Sequence, residues 1–265
     1  MSDLGRKLGR RRDVPDLAGS GPIPTLEALA AIRGASDRRR VTARLRRALT
    51  QAEPGPLTMQ VVFALVHLAD AQSARALLSL CERLTGPCRA IVETCALLVQ
   101  QNYAALAERM KSDPLIGRFS PVAFGHDPKI PAEAANLFTL WIEQLRRGAT
   151  LQGASVYRAF LGDVAEAAYR QIARGANPDR LLGEEGRGFF IDAITAELPG
   201  TTDFLAARGM AWLLGVLQSN DDTARSAIER ARVRFRNADF AEDCRRILAG
   251  EPWPPPAQEI RRPAR

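Results

Sequence analysis

Histidine is almost missing from this chain, with His67 and His126 the only two in 265 residues. Cysteine is nearly as sparse: Cys81, Cys88 and Cys95 follow one another at intervals of seven, and Cys244 stands far away. Zinc ligands usually come in pairs two to four residues apart with more cysteine or histidine nearby, and this chain has no such grouping. The expectation is a protein that works without metal or cofactor. The cysteines form no secreted-type disulfide framework either, so they read as small apolar fillers between close-packed helices in a reducing cytoplasm.

Aromatic residues make up only 6% of the chain, and alanine, leucine and arginine dominate. The first two are strong helix formers with little β-branched competition, which predicts an all-α fold. Long apolar runs are absent as well. Nothing approaches the roughly eighteen uncharged apolar residues of a membrane span. Arg10, Arg11 and Arg12 are followed by DVPDLAGSGPIP, which lacks the hydrophobic region of an export signal. Lysine is rare too, with three among 37 basic residues, so the net charge of +7 is carried by arginine. That charge is uneven, at +7 over residues 1–47, −4 over 48–224 and +4 over 225–265. Basic ends around an acidic middle can steer a chain toward an anionic surface.

Short polar turns recur about every thirty residues. They lie at Gly34–Asp37, Ala69–Gln72, Gln100–Tyr103, Leu161–Val164 and Ser219–Asp222. Taking Asp37, Asp70, Asn102, Asp163 and Asp221 as markers gives steps of 33, 32, 61 and 58, the last two close to double steps. Such a period predicts stacked antiparallel helical hairpins, as an α-solenoid or a compact helical-repeat array, each unit burying its apolar face on its neighbour. Residues 1–24 read as a disordered basic arm and 25–250 as the helical-repeat domain. An irregular insertion is expected at 113–131, and a Pro-rich extended tail at 251–265 lying outside the packed body. The glycine-rich GEEGRG at Gly183–Gly188 reads as a flexible connector, and residues 222–248 as one helix.

The segment GDVAEAAYRQIARGANP at 162–178 resembles the second half of a tetratricopeptide repeat, with Asp163 and Ala167 in place and Pro178 one residue early. Gln171 and Arg174 depart from its apolar and small positions. The hairpin at Asp70 fits through Ala74, Leu78 and Cys81, and the one at Asp37 through Val41, Leu45 and Ala48. The resemblance implies a concave groove that binds an extended peptide or a helix.

Candidate chemistry is thin. His67 lies in the apolar VVFALVHLAD run and reads as a hydrogen-bonded core residue, while His126 sits in the FGHDPK loop beside Asp127 and Lys129, where functional residues gather. Asp221, Asp222 and Glu229 resemble the second magnesium motif of terpene cyclases, but Arg225 occupies a ligand position, so helix capping is the better account. Trp212 reads as a packing residue. Residues 25–47 resemble a DNA-binding helix-turn-helix with a basic second helix, although Arg40 stands where an apolar residue belongs and Val41 comes one place late.

These readings favour a non-enzymatic scaffold or adaptor with a protein partner. A DNA-binding regulator using 25–47 is the alternative, and an all-α enzyme with His126 in its active-site loop is the second. Arg10, Arg11, Arg12, Arg39, Arg40, Arg44 and Arg47 are the candidate contacts to nucleic acid or another anionic partner. No catalytic residue is assigned.

Overall fold

The computed structural model describes residues 35–51, 55–148, 153–217, 221–251 and 253. Arg10, Arg11, Arg12, the rest of the 1–24 arm, the first half of the helix-turn-helix-like segment and most of the 251–265 tail lie outside the described residues. Within them the chain is all-helical, with no strand. The first six helices are α1 (Ala35–Gln51), α2 (Pro56–His67), α3 (Ala74–Cys81), α4 (Gly86–Val99), α5 (Tyr103–Ser112) and α6 (Pro114–Phe124). The second six are α7 (Ala134–Gly148), α8 (Ala154–Ala173), α9 (Pro178–Glu197), α10 (Phe204–Val216), α11 (Asp222–Arg234) and α12 (Ala238–Leu248). None of the described helices is long and apolar enough to cross a membrane.

Local chemistry explains where many of these helices begin. Pro56, Pro87, Pro114 and Pro178 fall in the first turn of α2, α4, α6 and α9, where a missing N–H costs nothing. Side-chain oxygens of Asn102, Asp113, Asn177, Asp203 and Asn237 accept from the first free amides of their helices. The turns marked by Asp70, Asn102 and Asp221 are therefore real helix starts or their immediate approach.

Several boundaries differ from the sequence reading. Asp163 marks no turn: α8 runs unbroken through Gly162 and Asp163, so the Gly-Asp feature of the repeat resemblance is the middle of one helix. The stretch 113–131 is not an irregular insertion, because Asp113 caps a helix that continues past the internal Pro121 to Phe124. GEEGRG is no connector either. Only Gly183, with φ 67° and ψ 169°, breaks the helix and kinks α9 into two stretches, and the rest of GEEGRG is helical. Residues 222–248 split into α11 and α12 around Asn237. The tail does not leave the body at once, since Trp253 packs against the core.

Every substantial helix-to-helix interface among the described residues joins helices one or two apart in the chain. The even-numbered helices contact one another in succession from α2 to α12, forming one row, and α5, α7, α9 and α11 form a second. Small residues set the tightest crossing. A β-carbon on Gly162 of α8 would stand 2.5 Å from the Cβ of Ala206 on α10, and one on Gly209 would stand 2.6 Å from the carbonyl oxygen of Gly162. In the middle of the molecule Trp141 of α7 is fully buried and meets Phe124 and Phe138 edge-on at 5.4 and 5.1 Å. Cys81, Cys95 and Cys244 are buried fillers as expected, whereas Cys88 is exposed, and all four are free thiols.

Candidate functional site

The unbroken course of α8 creates a polar face that lines a cleft. Its residues Asp163, Glu166, Ala167 and Arg170 are spaced three, four and seven apart and so share one face. That face lines a cleft of about 300 Å³, together with Phe63 from α2, Pro121 and Val122 from α6, Gly125 and His126 from the loop after α6, and Leu205 and Arg208 from α10.

Charges cross this cleft in pairs. Arg118 of α6 reaches Asp163 at 2.7 Å while its guanidinium lies 4.9 and 4.8 Å from the ring centres of Phe119 and Phe160. Glu166 receives Arg170 at 2.6 Å from its own helix and Arg208 at 3.2 Å from α10. Arg208 lies 4.6 Å over the ring of Trp212, whose indole N–H donates at 3.0 Å to Asp243 of α12. A ladder therefore runs across α8, α10 and α12, with the Arg118–Asp163 pair between α6 and α8 beside it. Because several charges share partners and aromatic faces, these side chains are held in place better than isolated surface pairs.

The loop carrying His126 is fixed from below. Asp127 is almost fully buried, accepts from the Tyr103 hydroxyl at 2.8 Å and from the Lys129 amide at 3.0 Å, and has its carboxyl pushed up by burial. Arg174 donates to the carbonyls of Asp127 at 2.6 Å and Gly125 at 3.0 Å, tying the loop to the end of α8. Burial lowers the Arg174 guanidinium to about 10. His126 itself stacks on Phe63 with ring centres 4.2 Å apart. Burial, then the charges of Arg170 and Arg174 and the neighbouring His67, lowers its imidazole to about 3. The ring is thus neutral at physiological pH and a poor base. No serine, threonine or cysteine lines the cleft beside it, so it faces no side-chain nucleophile there.

This arrangement has a measurable pH signature. His126 is depressed below its ordinary value, so between pH 7 and pH 5 the unfolded chain takes up a proton there that the folded chain refuses. Acidification then costs at most about 2 kcal/mol of stability from this group. Asp163 acts in the opposite sense: burial, partly offset by Arg118, raises it to about 6, so the folded chain binds the proton first and gains from acidification. Urea midpoints at the two pH values separate them. His126→Gln is expected to lose less stability than the wild type on going to pH 5, and Asp163→Asn to lose more.

The predicted anion contacts form a different surface. Val41, Leu45 and Leu49 bury one side of α1 against the core, leaving Arg39, Arg40 and Arg47 exposed and Arg44 partly so. None of them lines the cleft. His67 is half-buried at the end of α2 and its imidazole is lowered, mainly by burial. Of the sequence candidates only His126 reaches the cleft. Glu166 and Arg170 escaped notice because an i,i+4 pair on one helix resembles an ordinary solvated face, and Arg208 because its partner lies on another helix; Trp212 was legible only as a packing residue because its partner Asp243 is distant in sequence. Among the described residues no group of histidine, cysteine and carboxylate side chains could hold a metal ion. No protein-family model matches the chain, and no curated protein or solved structure is significantly similar to it.

Proposed function

We propose that this chain is a protein-binding scaffold or adaptor, a stack of helical hairpins whose even-numbered row offers a groove to an extended peptide or a helix of a partner. The observation that carries the reading is the cross-helix ladder of Glu166, Arg170, Arg208 and Trp212 beside an apolar wall of Phe63, Pro121 and Leu205. Preformed charges of both signs next to aromatic and aliphatic surface suit recognition of a mixed peptide, with the polar groups fixing register. The restriction of substantial packing among the described residues to near neighbours along the chain favours a quasi-one-dimensional stack, which gains surface without needing a closed core.

Affinity capture from native extract, with and without nuclease, tests this. The expected result is a protein partner that survives nuclease and is lost with Arg170→Glu, while the variant keeps its helical circular dichroism. Retention by the variant, or loss of every partner on nuclease treatment, would overturn the reading.

A second reading concerns α1. The exposure of Arg39, Arg40 and Arg47 favours a weak anchor to an anionic surface, whose affinity comes from released counterions and falls steeply with salt. The nuclease arm of the same capture registers it as a separate, salt-sensitive species.

A further inference from the structure

The cleft does not end at Arg208. Beyond it Trp212 and Tyr169 stand with ring centres 4.9 Å apart, and Trp253 from the C-terminal segment joins them at 6.4 and 6.3 Å. Gly215 makes the floor of this seat: a β-carbon there would meet Ile247 and Trp253 at 2.8 Å. How Trp253 arrives is legible from the backbone. Gly250 adopts φ 69°, its amide bonds to the Ile247 carbonyl at 3.0 Å, and the Glu251 amide bonds to the Arg246 carbonyl at 3.0 Å. This pair of bonds is the Schellman closure of α12, and it turns the chain back onto α8 and α10.

The tail is held lightly for a packed segment. Trp253 is half-buried, and its indole N–H finds no acceptor among the described residues. Pro252 and Pro254 on either side have no amide to donate. Among the described residues its side-chain ties include ion pairs of Glu251 with the exposed Arg245 at 2.9 Å and with the part-buried Arg246 at 3.2 Å. Exposed pairs contribute little. The seat, by contrast, is made of rigid helix-borne rings continuous with the charged cleft through Arg208.

We propose that Tyr169, Trp212, Gly215 and Ile247 form a docking seat for an aromatic side chain flanked by prolines in an extended segment, and that Trp253 is its resident, displaceable occupant. A partner segment of this chemistry binds by replacing Trp253 and continues along the charged face of α8. Proline next to the aromatic residue suits the site because it pre-sets an extended backbone and presents apolar surface to indole and phenol rings. The proposal rests on the reading of the cleft as a peptide groove and names the chemistry of its ligand.

A labelled peptide of the chain's own final fifteen residues, EPWPPPAQEIRRPAR, is the probe, added in trans to the full-length protein. By fluorescence anisotropy, Trp253→Ala should bind it saturably, and the wild type at least about tenfold more weakly, because the tethered occupant competes at an effective concentration of millimolar order. The same peptide with alanine for tryptophan should not bind, and adding Trp212→Ala to the vacated protein should abolish binding. Equal affinity for wild type and Trp253→Ala, no binding to either, or equal binding of the tryptophan-free peptide would overturn the proposal. Should Trp253→Ala lose its helical signal, Glu251→Gln decides instead. It leaves the seat intact and removes the charge tether, so a two- to fivefold gain over wild type is expected, and no gain overturns the proposal. If the peptide fails while a partner is still captured through Arg170, the broader groove reading stands and only the tail's role falls.

Discussion

Gly162→Ala should destabilise the protein by roughly 3 kcal/mol or more, at the upper end of what overpacking costs. The new methyl carbon would fall against the Cα of Ala206 and stand 2.5 Å from its Cβ and 3.0 Å from its carbonyl oxygen. Those atoms belong to the backbone of a neighbouring helix or are bonded directly to it, so no rotamer change relieves the clash. Separation of α8 from α10 is the remaining response. The sign of the effect is what makes the experiment decisive, because alanine at an uncrowded helix position would be stabilising by about 0.5–1 kcal/mol. Urea denaturation followed by circular dichroism gives the answer. A stability equal to or above wild type would mean that α8 and α10 do not cross at this point, and the ladder from Glu166 to Arg208 would fall with the crossing.

Trp141→Ala should cost a similar or larger amount, about 3–5 kcal/mol, from lost burial and the cavity left behind. Trp141 is fully buried, and Phe124 and Phe138 lose their edge-on partner when it is truncated. Its indole N–H also donates at 3.0 Å to Ser120, whose hydroxyl is buried. Trp141→Phe separates the two contributions. It keeps an aromatic ring in the site but orphans the hydroxyl, so a smaller loss of about 1–3 kcal/mol is expected. With total stabilities of about 5–15 kcal/mol, the alanine variant sits close to unfolding at ordinary temperature. The consequence reaches the cleft, because Phe124 ends the helix from which the His126 loop departs. A midpoint for Trp141→Ala within experimental error of wild type would remove this residue from the core.

Helix identity and much of helix placement were already written in the sequence. Alanine and leucine without β-branched competition dictate an all-α chain, and Asn102 announces the start of α5 because its short side chain reaches a free amide there and nowhere better. Val41, Leu45 and Leu49 recur at helical spacing, so the buried side of α1 and the exposure of Arg39 and Arg40 were legible as well. These are local facts, settled within one or two turns of backbone. Local chemistry misled where a neighbour supplied the reason. Gly162 and Asp163 have the composition of a turn, yet the glycine is needed for the approach of α10 and the aspartate for Arg118, so the helix continues through both. The prolines around Asp113–Pro131 suggested a break, but Pro114 suits a first turn and Pro121 is tolerated inside the helix, buried against the body.

The cleft belongs wholly to tertiary structure. Glu166 and Arg170 are one turn apart in any helix, but only the α8–α10 crossing brings Arg208 to the same carboxylate, and only the turn at Gly250 returns Trp253 to Tyr169 and Trp212. Periodicity in a sequence records which side of a helix is covered. It does not record which helix covers it, and that pairing, chosen by small residues and buried rings far apart in the chain, decided where charges and aromatics meet.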